Sequence, residues 1–273
     1  NNELVKKAVN DDGKLALGYT CYHTPEVLLN LDNCFSVRLR APRTGSIDIA
    51  TYYLSNFLCG FSKALLERGI EGGYNFLSAI LTAETCSEMN RAMEHFELLH
   101  LVPNDKFFCS FIDMPFKTSE HCLDLYVSQI RSKYLDRLRD VYGVDTSDGA
   151  MRKAVELHNR VCRAITAIGE YRKEENPRIT GYEFHVLCLA SYCCPKYLIV
   201  DKLEETLEEL KTREPDEKKK FRAKIVVVGS EMDDPDFTKL IEESGALVVA
   251  DRYCFGSFPG REEIVLNDEE DVL

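Results

Sequence analysis

Two cysteines stand where a protein chain most easily holds a thiolate. Cys59, in YLSNFLCGFSKALLERG, and Cys86, in LTAETCSEMNRAMEHF, are each written into the opening turn of an expected helix. The first N–H groups of a helix lack intrahelical partners and the macrodipole is positive there, so an anionic sulfur is favoured. Metal ligation requires that anion. Thr85 followed three residues later by Glu88 fits a capping box and predicts Cys86 as the first helical residue. Before Cys59, either Ser55 or Asn56 is the expected cap, with Gly69 as the terminator. Spacing alone favours a blander role for both, because free cysteine is among the most buried residue types.

The elements that must position these thiols follow an α/β pattern. KLALGYTCY reads as a buried strand, and Thr24-Pro25-Glu26 starts a helix with a cap, a first-position proline and a first-turn acid. CFSVRLR alternates as a second strand, LSAILTAET feeds the helix that begins near Cys86, and KFFCSFIDMPF is a fourth strand. From Ser119 the period lengthens into helices: SEHCLDLYVSQIRSKYLDRLRDVYG, a second from Ser147 to Arg172, then ITGYEFHVLCLASYC and YLIVDKLEETLEELKTR. At Arg222 the pattern restarts with AKIVVVGSEMDDPDFTKLIEESGALVVADRYCFG, a strand, a Gly-Ser turn, a helix and a strand. These predict two α/β domains with short parallel sheets, one over 1–220 wrapped by long helices and carrying both cysteines, the other beginning at 221. The stretch to Leu273 is too short to complete a doubly wound sheet, so the sequence is either a fragment or has an abbreviated second domain.

The chain has 273 residues, eleven cysteines and a formal net charge of −12. That balance argues against a nucleic-acid partner, whose phosphates need a basic face. No stretch has the length of a transmembrane span and the N-terminal NNELVKKAVNDDGK has no apolar signal core, which predicts a cytoplasmic protein. An odd number of cysteines in a reducing compartment reads as free thiols with a minority available to metal. Cys188, Cys193 and Cys194, in an apolar helix end, are expected in the core. Arg38, Arg40 and Arg43 form a basic group after a strand, equally readable as a site for an anionic cofactor or as solvated edge residues. Lys218, Lys219, Lys220 and Arg222 read as a charged linker. No Gly-rich Walker loop is present.

In order, KLALGYTCYHTPEVLLNLDNCFSVRLR, YYLSNFLCGFSKALLERG, LTAETCSEMNRAMEHF, FIDMPFKTSEHCLDLYVSQIRSKYLDRLRDVYG, ITGYEF and the β-α-β segment from Ala223 resemble the 2-hydroxyacyl-CoA dehydratase and benzoyl-CoA reductase family over nearly the whole chain. The resemblance implies an oxygen-sensitive subunit holding a [4Fe-4S] cluster in the cleft between its domains, with Cys59 and Cys86 as two ligands. Family subunits take a third cysteine from a segment beyond the one where this sequence ends; Cys254, in DRYCFG, matches a position that commonly carries cysteine and is the candidate within the chain. His23 and Glu26 match the family's Pro-Glu signature at the active-site side of the first strand and are candidates for proton transfer or substrate contact, against the plainer roles of a loop histidine and a first-turn acid. Ser55 and Asn56 are candidates to hydrogen-bond the cluster or thioester, and Arg38 and Arg40 to bind its anionic part. The implied partners are a homologous second subunit, an ATP-dependent iron-sulfur activator and an acyl-CoA substrate. The implied activity is elimination of water from a (R)-2-hydroxyacyl-CoA, with aryl-CoA reduction or a non-catalytic acyl-CoA-binding role as alternatives.

Overall fold

The computed structural model describes residues 2–42, 44–215, 221–257, 262–267 and 271–273. Arg43 and Lys218, Lys219 and Lys220 of the two basic groups lie outside these residues. Contacts divide the chain into two units, Asn1–Ala154 with Leu266–Leu273, and Val155–Val265.

The first unit opens with α1 (Glu3–Asn10), whose Val5 and Ala8 are buried. Strand β1 (Leu15–Tyr19) leads to a single 3-10 turn over Glu26–Leu29, and β2 (Cys34–Arg38) follows. Then come α2 (Ala50–Tyr53), α3 (Gly60–Ile70), β3 (Leu77–Glu84), α4 (Ser87–Leu98) and β4 (Phe108–Asp113). Next, α5 (Glu120–Gln129) continues through a π-helical stretch, Ile130–Leu135, into α6 (Asp136–Tyr142). A π stretch leaves carbonyls out of the regular ladder. One is satisfied from the sheet, where Ser110 Oγ donates to the Lys133 carbonyl at 2.6 Å.

All four strands are parallel, in the order β2-β1-β3-β4. Parallel sheets must be covered on both faces. One face, with Leu17, Tyr19, Ala79, Leu81 and Ile112, packs on Ile130, Tyr134, Leu138 and Met151. From the other, Cys109 Sγ reaches the Met93 carbonyl of α4. Double coverage explains why every residue of β2 is buried, Arg38 and Ser36 included, although the sequence alternates.

The boundary between the units falls within α7 (Asp148–Glu170), and the second unit then holds α8 (Gly181–Cys193), α9 (Lys196–Thr212), β5 (Ala223–Val228), α10 (Pro235–Glu243) and β6 (Ala246–Arg252). Thr180 and Glu183 form a complete capping box on α8, and β5 pairs with β6 in parallel. Cys188 and Cys193 are buried and Cys194 is partly so. Among the described residues no helix is long and apolar enough to cross a membrane.

Candidate functional site

The strand order of the first unit turns around β1: β2 lies on one side of it and β3, reached by crossing back, on the other. In open α/β sheets such a switch point opens a crevice beyond the carboxyl ends of the strands, where ligands bind. The loop after β1 carries Cys21, Tyr22 and His23, and β3 ends directly before Thr85 and Cys86. The floor of this edge is polar and cross-linked by hydrogen bonds. Thr20 and Thr82 share a 2.6 Å hydrogen bond between hydroxyls, Tyr134 OH donates to the Thr82 carbonyl at 2.6 Å, and Arg38 Nε donates to the Thr20 carbonyl at 3.1 Å.

Cys59 and Cys86 are both exposed and both sit at the N-cap, immediately before α3 and α4. Neither helix start is closed by the cap side chain that the sequence suggests. Ser55 and Asn56 lie in the exposed turn ahead of Cys59, where the Asn56 carbonyl accepts from Lys63 Nζ at 3.2 Å. Cys86 precedes the first helical residue by one position, and the Thr85 side chain makes no capping bond to α4. Glu88 instead reaches sideways: its Oε2 accepts the backbone N–H of Cys59 at 2.8 Å. One carboxylate therefore ties the start of α4 to the start of α3 and leaves both thiols at neighbouring helix N-termini.

The other candidates of this edge have distinct environments. His23 is partly buried, which lowers its pKa by desolvation; the ring is neutral at pH 7 and able to accept a proton. Its carbonyl accepts from Tyr126 OH at 3.2 Å, and its ring lies 4.0 Å from that of Tyr22. Glu26 points into the fold, with Oε1 accepting from Asn30 Nδ2 at 2.8 Å and from Ser36 Oγ of β2. Arg38 is 1% exposed, neither a solvated edge residue nor one side of an open basic patch. Arg40 is half-buried; its carbonyl accepts from Tyr74 OH at 2.8 Å, while its buried Nε makes no hydrogen bond among the described residues. The Thr20–Thr82 pair escapes a sequence reading, and so does the partner of Glu88, because the capping-box spacing singles that residue out but assigns it to its own helix.

In the second unit, Cys254 follows the carboxyl end of β6, and its N–H donates to the Ser230 carbonyl just beyond β5 at 2.9 Å. His185, fully buried, fixes the same end through Thr238 Oγ1 at 2.9 Å and the Met232 carbonyl at 3.2 Å. Among the described residues no group of three or more Cys, His, Asp or Glu is gathered as a metal would require.

The thiols should separate by reactivity. Limiting iodoacetamide on the native, metal-free protein is expected to alkylate Cys59 and Cys86 first. Cys34, whose burial pushes its thiol up to about 12, should react only on unfolding. Peptide mass spectrometry reads the order, and early labelling of Cys34 would contradict it.

Residues 21–273 match the family described as 2-hydroxyglutaryl-CoA dehydratase, D-component. A curated relative, the (R)-phenyllactyl-CoA dehydratase beta subunit of Clostridium sporogenes, is 23% identical over 250 residues, which are 91% of this chain and 65% of that protein. The chain thus spans less than two thirds of the relative's length. With the match extending from just beyond β1 through the last residue, the chain belongs to the 2-hydroxyglutaryl-CoA dehydratase D-component family.

Proposed function

We propose that this chain serves as the iron-sulfur subunit of a cytoplasmic 2-hydroxyacyl-CoA dehydratase. The observation that carries the reading is the pair of exposed thiols at adjoining helix starts, tied through Glu88 beside the switch point of a parallel sheet. Two such thiols fit two corners of a [4Fe-4S] cluster, and Cys254 is the cysteine of this chain proposed for a third. A cluster held with one iron free of protein thiolate would supply single electrons and a position for a substrate oxygen. The substrate proposed is a (R)-2-hydroxyacyl-CoA, in agreement with the phenyllactyl-CoA named for the relative. One electron added to the thioester carbonyl gives a ketyl radical anion, from which the α-hydroxyl leaves as hydroxide. Loss of a β-proton and return of the electron leave enoyl-CoA and water, with no net redox change.

For this chain's residues the reading gives His23, neutral at pH 7, the task of accepting a proton at the mouth of the crevice. Glu26, held by Asn30 and Ser36, anchors the turn that carries His23 and is the second proton-carrying candidate. Ser55 and Asn56, exposed ahead of Cys59, are proposed to face the cofactor or thioester, and Arg40 the anionic part of the substrate. Arg38 supports the edge from within. A homologous second subunit and an ATP-dependent iron-sulfur activator complete the assembly, the first in line with the beta-subunit name of the relative.

The test is anaerobic assembly of the chain with its co-purifying subunit, a reduced activator and ATP, assayed on a panel of 2-hydroxyacyl-CoA and aryl-CoA thioesters. Enoyl-CoA formation is expected. Reduction of an aryl-CoA without loss of water would move the chain to the reductase branch. A colourless, iron-free protein that binds acyl-CoA would overturn the cluster.

A further inference from the structure

We infer that Glu88 is a positioning residue that sets the separation of Cys59 and Cys86 by clamping the starts of α3 and α4 together. The inference rests on the proposed role of the two thiols as ligands.

The two helices approach closely at their far ends, where Gly69 of α3 lies against the Phe96 ring of α4: a Cβ at Gly69 would come within 2.7 Å of Phe96 Cζ. Contact there leaves the near ends free to splay, and it is the near ends that carry the cysteines. Neither end is closed by its own N-cap side chain. The Glu88 carboxylate supplies the missing link, accepting the Cys59 N–H at 2.8 Å from its place in the first turn of α4. Its charge lies at the positive end of both helices. Because the bond is made to the backbone of Cys59 itself, losing it releases the N–H side of that residue as well as the gap between the helices, while its carbonyl stays bonded to the Lys63 N–H and Ser62 Oγ. Glutamine at the same position keeps an oxygen that can accept the N–H, whereas alanine keeps none.

The experiment compares wild type, Glu88→Gln and Glu88→Ala with two readouts. In the metal-free protein, a short bis-maleimide is used to join Cys59 to Cys86, with the linked peptide quantified by mass spectrometry. After anaerobic reconstitution with ferrous iron and sulfide, iron per chain and visible absorbance are measured. Glu88→Ala is expected to lower both the cross-link rate and the iron retained under a chelator by about fivefold, the scale of one lost hydrogen bond. Glu88→Gln should stay within about twofold of wild type on both measures, since it preserves the acceptor. Near-ultraviolet circular dichroism restricts the comparison to folded protein. Should Glu88→Ala prove poorly folded, an equal loss in well-folded Glu88→Gln would overturn the inference, and its retention of both signals would support it. Wild-type behaviour of folded Glu88→Ala on both readouts overturns it. If the wild type takes up no iron while Glu88→Ala still slows the cross-link, the clamp stands and the cluster reading fails.

Discussion

Asp251→Ala is expected to cost about 3–5 kcal/mol, the scale for removing one member of a buried ion pair. Against a total stability of about 5–15 kcal/mol for a domain, that is enough to unfold a large share of the molecules. Asp251 is fully buried and lies 2.7 Å from the Arg172 guanidinium, itself 3% exposed. Arg172 also stacks on Phe184, its Cζ 3.7 Å from the ring centre, and so has no route to water once the carboxylate is gone. The other Asp251 oxygen accepts the Ser257 N–H at 2.7 Å, and Gly256 lies so close that any side chain there would strike the carboxylate. The substitution therefore strands a buried cation and also releases the loop 253–257 that carries Cys254. Asp251→Asn keeps an acceptor for Ser257 and loses the charge, so its cost should fall between wild type and alanine. Urea unfolding followed by circular dichroism gives the midpoints, and hydrogen exchange over β5, α10 and β6 localises the change. A wild-type midpoint for Asp251→Ala would mean that the pair is not desolvated in solution.

The strands were the legible part of this fold because their signal is local. LALGY, LSAILTAE and FCSFID are apolar runs that form strands within about three residues of where the pattern puts them. Their parallel direction was also legible from the α/β pattern, whereas the order β2-β1-β3-β4 is set by packing. The failures are short elements and capping details. Helix α1 is eight residues with two buried positions, too brief for a periodic signal to stand out. Thr24-Pro25-Glu26 promises a capped helix, yet the chain makes only one 3-10 turn. Asn30 Nδ2 donates back to the Glu26 carbonyl and carboxylate, and Asn30 Oδ1 accepts the N–H of Ser36 in the following strand. A cap motif says that backbone groups need partners; it does not say that the helix must continue.

Candidate-site residues were less legible than strands for a related reason. Thr85-x-x-Glu88 has the letters of a capping box, but the Glu88 carboxylate accepts the N–H of Cys59, 29 residues away in sequence. Which of two amides captures a carboxylate depends on how α3 and α4 pack, and packing is absent from the one-dimensional pattern. Arg38 shows the converse. Its place in an alternating strand suggests an outward-facing cation, whereas coverage of both sheet faces buries it and turns its Nε to the Thr20 carbonyl. The position of Cys86 at a helix start was legible to within a residue and that of Cys59 to within about a turn, since Cys59 is itself the N-cap where Ser55 or Asn56 was expected.

Raising the pH above about 9 should weaken the first unit steeply, at about 1.4 kcal/mol per pH unit for each buried group that stays protonated in the native state and ionises in the unfolded chain. Cys34 is such a group: burial pushes its thiol from 9.0 up to about 12, with Lys14 opposing and Asp32 adding to the shift. Cys109 is raised by burial and further by Glu97, and Tyr134 is raised by burial and by Tyr126. The sign follows from proton counting. Between the unfolded and native pKa values the unfolded state binds fewer protons, so ionisation draws the equilibrium toward it, and the stability present below pH 9 is lost as pH rises through the native value. For Cys34 the window from 9.0 to about 12 corresponds to about 4 kcal/mol in all. Urea titrations at pH values from about 8 to about 11 give the slope. Cys34→Ala removes one titrating thiol and should flatten the slope by about 1.4 kcal/mol per pH unit within the window, although it lowers stability at neutral pH. An unchanged slope in Cys34→Ala would show that this thiol ionises as readily in the folded chain as in the unfolded one, and hence that water reaches the amino end of β2.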